Sequence, residues 1–114
     1  MTTVGADGRP QPTPVWFVWD DGDVLVYSRH NARRLAHLRG NAQVSLHFNA
    51  NARGGDVVVL SGPAELVDGE PPHEVPAYLA KYRDQMIRVS GSLEAFSAEY
   101  SVPLRVRVDR LRGF

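Results

Sequence analysis

The feature that most narrows what this chain can fold into is the spacing of β-prone runs and turns in its first half. Ala6-Asp7-Gly8-Arg9 and Asp20-Asp21-Gly22-Asp23 each set an Asp-Gly pair between stretches rich in β-branched and aromatic residues, which is the signal of a tight hairpin. Between them, Pro12 to Trp19 reads as a second strand whose prolines confine it to an edge or to irregular structure. Val15, Phe17 and Trp19 share one parity and Trp16 and Val18 the other, so both faces need cover. Val24 to Ser28 forms a third strand, and Val44-Ser45-Leu46-His47-Phe48 alternates as a fourth with Val44, Leu46 and Phe48 inward. One short helix fits between them, Ala32 to Arg39, with Asn31 as its N-cap and Gly40 as its stop.

The second half continues the pattern. A polar loop is expected from Asn49 to Gly55, then a long strand from Asp56 to Val67 that Ser61-Gly62-Pro63 should bend. Pro71-Pro72 opens a helical stretch through Tyr82, Ser92 caps another through Tyr100, and Leu104 to Val108 alternates as the last strand. Six mostly consecutive, antiparallel strands with short helices predict a mainly β, Greek-key-like barrel. A chain of 114 residues supports one core, so residues 1–114 are expected to be a single domain. The surplus of apolar strand surface predicts a homodimer.

Composition removes whole classes of function. Thirteen basic residues balance thirteen acidic ones, so no long-range positive field draws the chain to nucleic acid or to an anionic membrane surface. With no cysteine, disulfides, thiolate metal sites and cysteine nucleophiles are excluded. No apolar run approaches the ~18 residues of a membrane span, and the start Met-Thr-Thr-Val-Gly has no basic or apolar leader character, so a cytoplasmic protein is expected. His30, His37, His47 and His73 form no H-x-x-x-H pair, and no dinucleotide, Walker A or nucleophile-elbow motif is present.

What the residues leave open is local anion recognition, with solvated charge as the alternative for the arginine pair and protection of a sheet edge as the alternative for the prolines. Arg33 and Arg34 fall in the first turn of the short helix, where free backbone N–H groups already favour negative charge. Projected at 100° per residue, Arg34 lies about 40° from Leu38 on the packed face, whereas Arg33 points away from it. Arg34 is therefore the first candidate for a phosphate and Arg33 the second. Gln11, Thr13 and Pro14 can offer unpaired backbone groups to the edge of a flat ring. His47 lies on the outward parity of its strand, where it lines a cleft or meets solvent. Trp16 and Trp19, in so apolar a run, are expected in a core or an interface.

The stretches Asp7 to Phe17, Tyr27-Ser28, Ala32-Arg33-Arg34-Leu35 and Val44 to Phe48 together resemble the pyridoxamine 5′-phosphate oxidase-like split β-barrel family. More narrowly, they are similar to its actinobacterial members that use the deazaflavin coenzyme F420. The resemblance implies a homodimer with two cofactor sites at its interface and a basic residue after the third strand on the cofactor phosphate, the position Arg34 holds. It further implies that Thr13, Pro14, Val15 and Trp16 flank the ring system, that Tyr27 and Ser28 approach the phosphate-bearing chain, and that Arg33 assists; Asn31, the expected cap beside them, and Gln11 are counted with these as cofactor-binding candidates. The family's usual N-terminal helix is absent, since the first residues already read as a strand, and arginine replaces the commoner lysine at Arg34. The expected function is reduction of an unsaturated small molecule by coenzyme F420. An FMN-dependent oxidase or reductase and a non-catalytic flavin-binding protein are the alternatives.

Overall fold

A computed structural model of the chain describes residues 1–49 and 57–113. Eight strands and three α-helices follow in the order β1 (Thr2–Val4), β2 (Pro10–Pro12), β3 (Phe17–Asp20), β4 (Asp23–Ser28), α1 (Arg33–Gly40), β5 (Gln43–Asn49), β6 (Val57–Leu66), a 3₁₀ turn (Pro72–Glu74), α2 (Pro76–Ser90), α3 (Leu93–Glu99), β7 (Val102–Val106) and β8 (Arg110–Gly113). The strands run β2-β1-β5-β6-β7-β4-β3 across one antiparallel sheet, and β8 adds to β6. This is the mainly β, split-barrel architecture expected from the sequence, with eight strands where six were expected. The expected loop lies outside the described residues beyond Asn49, which ends β5.

The two extra strands have plain causes. The Pro12 to Trp19 run does not form one strand, because Pro12 and Pro14 lack the N–H groups a ladder needs. It divides into β2 and β3, and the segment between is held by Thr13, whose N–H donates to the Met1 carbonyl at 2.9 Å. β8 lies beyond the expected last strand because the chain leaves its ladder at Arg107 to cross over β6. There the Arg107 and Asp109 N–H groups donate to the carbonyls of Pro63 and Ser61, both at 3.0 Å. Gly62 permits this crossing, since a Cβ would overlap the Arg107 carbonyl. The expected bend at Ser61-Gly62-Pro63 is therefore where β6 changes partners, from β5 before Ala64 to β7 after it.

Turn chemistry matches the sequence closely. Asp21 and Gly22 both adopt positive φ, 52° and 83°, the paired left-handed conformation of a two-residue hairpin. Asn31 is not a helix cap: it sits in an exposed turn, and α1 starts one residue later with Ala32 at the cap position and no side-chain bond there. The turn closed by the Ala32 N–H on the Arg29 carbonyl, 3.2 Å, carries the chain past Asn31 before the helix begins. Nor does Gly40 stop α1, which includes it and ends at Asn41 in an extended conformation. The helical stretch after Pro71 splits into the 3₁₀ turn and α2, which continues past Tyr82 to Ser90 and stops at Gly91 in the left-handed conformation. Ser92 does cap α3, accepting the Ala95 N–H at 3.1 Å.

Two apolar cores result. Val24 and Val26 of β4 point into the barrel with Leu35, Leu38, Val44, Leu46, Leu60, Leu104 and Val106. Leu25 and Tyr27, on the opposite parity, pack with Val18, Tyr78, Met86 and Phe96 beneath α2 and α3. β4 is thus buried on both faces, and the helices rather than a second chain cover its outer one. Among the described residues no helix is long and apolar enough to cross a membrane.

Candidate functional site

The seam between barrel and helices opens into a cleft of about 370 Å³. Pro14, Val15 and Trp16 form one wall, Tyr27, Ser28 and Arg29 at the end of β4 the floor, and Ala32 and Arg34 one end. Tyr78 and Val89 of α2, with Phe96 and Tyr100 at α3, complete it. A cleft of this volume falls in the range of roughly 300 to 1,000 Å³ that small-molecule and cofactor sites occupy.

Its aromatic side is ordered by stacking. The Trp16 ring lies parallel to Tyr82 at 4.9 Å and to Phe96 at 5.4 Å, and Phe96 stacks in turn on Tyr100 at 4.5 Å. Tyr82 fixes the position of the stack, because its hydroxyl donates to the Phe17 carbonyl and accepts the Phe17 N–H, both at 3.0 Å. Tyr27 lies edge-on to Tyr78, and its hydroxyl donates to the Glu70 carbonyl at 2.7 Å. Burial, then the charges of Glu70 and Asp20, push the Tyr27 phenol up to about 12. The wall is apolar and aromatic.

The opposite end is cationic. Arg34 is half-buried, and no carboxylate bonds to it among the described residues. Burial lowers its pKa from the ordinary arginine value, yet a guanidinium stays charged under any physiological condition. A partly desolvated cation without a counterion is unfavourable until an anion meets it. Arg33, its neighbour, is exposed and lies outside the cleft. Ser28 is 1% exposed and donates through Oγ to the Arg29 carbonyl at 3.3 Å, fixing the backbone beside the cationic end.

Of the residues singled out from sequence, Pro14, Val15, Trp16, Tyr27, Ser28 and Arg34 come together here. Gln11 stays in the β1–β2 hairpin opposite Thr3, and Asn31 stays in its turn. Thr13 instead lines a second cleft of about 360 Å³ with Phe17, Leu46, His47 and Phe48, on the other side of Pro14 and Val15. Sequence reasoning missed Arg29, Tyr78, Val89, Phe96 and Tyr100. The spacing of Tyr78 and Tyr82, and of Phe96 and Tyr100, four apart on helices, was the available signal, since such pairs share one face.

The family model described as pyridoxamine 5′-phosphate oxidase matches residues 1–111. No curated protein matches the chain. Among solved structures, an F420 reductase superposes with a TM-score of 0.71 at 22% identity, over 97% of this chain and 85% of its own. HutZ, the heme storage protein from Vibrio cholerae, superposes with a TM-score of 0.66 at 19% identity, over 98% and 82% of the two chains. A putative pyridoxamine 5′-phosphate oxidase from Listeria innocua gives 0.66 at 18% identity, over 99% and 84%. At these identities the structural likenesses establish the fold.

Proposed function

The chain belongs to the pyridoxamine 5′-phosphate oxidase family, and from that premise we propose that it is an oxidoreductase that holds a flavin-type cofactor in the cleft beside Arg34. The observation that carries the reading is the pairing, in one cleft, of a half-buried arginine that no carboxylate among the described residues meets with a stacked aromatic wall. Arg34 would take the cofactor phosphate in a bidentate fork, while the face of Pro14, Val15 and Trp16 would flank the ring system. Ser28 and the end of β4 would lie along the chain that joins them. The described residues that line the cleft offer a flat ring apolar packing surface and two guanidinium groups.

The cofactor is proposed to be coenzyme F420, with FMN as the alternative, and the substrate an unsaturated small molecule. When bound, the cofactor supplies the hydride chemistry, and the protein supplies position and electrostatics. That division accounts for a cleft built of packing surface and the guanidinium groups of Arg29 and Arg34. A second copy of the chain is proposed to complete the site, since Trp19, Leu66 and Leu111 remain 50%, 53% and 67% exposed.

The visible absorption spectrum of the purified protein, followed by titration with FMN and with F420, tests the reading. Saturable F420 binding is the expected result. Tight FMN binding without F420 binding would move the assignment to the FMN alternative, and binding of neither would remove the oxidoreductase reading.

A further inference from the structure

Two arginines line the cleft, and they stand in opposite states. Among the described residues no carboxylate bonds to Arg34. Arg29, which lines the same cleft, donates through Nη2 to Glu99 Oε2 at 3.3 Å and lies with its guanidinium 5.1 Å above the Tyr100 ring. Arg29 and Glu99 side chains are 53% and 47% exposed, so water or a competing anion can replace their contact at small cost.

Glu99 is not placed where its helix wants it. It is the last residue of α3, where unpaired carbonyls make a negative charge unfavourable. Its ion-pair partner among the described residues is Arg29. The Arg29 backbone is pinned, because its carbonyl accepts from Ser28 Oγ and from the Ala32 N–H. Only the side chain is free to move, and the Tyr100 ring keeps its planar head at the cleft.

We propose that Arg29 is a second phosphate-binding residue of this cleft and that Glu99 is its built-in competitor. The inference rests on the reading that the cleft holds a phosphate-bearing flavin or deazaflavin. A guanidinium has five N–H donors and Glu99 engages one end of it, so the phosphate takes the rest or displaces the carboxylate. In either case the Glu99 charge repels the incoming phosphate and weakens its hold. Arg34 thus provides the standing anion site, and the Arg29–Glu99 pair sets how tightly that site closes on its ligand.

The test is a double-mutant cycle on the full chain, read as the dissociation constants of F420 and FMN, with riboflavin as the phosphate-free control. Glu99→Gln is expected to tighten the phosphate-bearing ligands by about two- to fivefold, the worth of an exposed ion pair. Riboflavin should not respond. Arg29→Ala should weaken the phosphate-bearing ligands, and in that background the gain from Glu99→Gln should vanish. Unchanged affinity in Glu99→Gln, or the same gain with and without Arg29, overturns the inference while leaving the cofactor reading intact. Failure of F420 and FMN to bind wild type and variants alike overturns both.

Discussion

Arg33 and Arg34 are adjacent in sequence, yet one faces solvent and the other is half-buried at the end of a cleft. The difference follows from the 100° step of a helix whose packed face is set by Leu35 and Leu38. Arg33→Ala is accordingly expected to cost less cofactor affinity than the same change at Arg34, as measured by calorimetry. The tyrosines under the helices carry a second prediction. Tyr27 is pushed up to about 12 from an ordinary value of 10.0, and burial raises Tyr78 as well. A phenol whose pKa is raised by folding stabilises the native state fully below the unfolded value, and that contribution is lost as pH rises through the folded one. Stability should therefore fall between about pH 10 and 12, and Tyr27→Phe should flatten that fall in denaturant titrations across this range. The Arg34 side of the site was legible because helical projection needs only the apolar positions. Asn31 was misread because Asn suits a turn as well as a cap, and nothing in the sequence distinguishes the two before the path out of β4 is known.

At the scale of elements, the strands and hairpins of the first half were legible because Asp7-Gly8 and Asp21-Gly22 dictate their turns. The division of the proline-rich run and the partner exchange of β6 were not, since both depend on which distant segment crosses nearby. Gly62 makes the point: the sequence suggests a bend there, but only the fold shows the Arg107 carbonyl occupying the space of a side chain. Gly62→Ala is expected to destabilise the protein by roughly 2 kcal/mol or more, read from the shift in urea midpoint, because backbone on both sides must move. Ser92→Ala removes the only side-chain cap recorded for the α-helices among the described residues and should cost about 1 kcal/mol in the same measurement. The aromatic wall escaped sequence reading for a related reason. Tyr78, Phe96 and Tyr100 come from helices that fold back over β4, and their spacing reveals a shared face without revealing what that face meets.

At the scale of the molecule, β4 organises the site. Its alternate residues serve two cores, and its last residues, Tyr27 and Ser28, emerge where barrel, α1 and the two covering helices converge. The covering helices meet part of the need for burial that the sequence assigned to a partner chain, while Trp19, Leu66 and Leu111 remain exposed. Sedimentation velocity is expected to show a dimer, and a monomer at all accessible concentrations would withdraw the partner from the proposed site. On the proposed function, this cleft grips a cofactor phosphate through Arg34. The most direct measurement is a calorimetric titration of coenzyme F420 into the wild-type protein and into Arg34→Ala. Loss of a charge-assisted contact of about 1.5 to 3 kcal/mol predicts roughly tenfold or more weaker binding by the variant. Equal affinities for the two proteins would contradict the account.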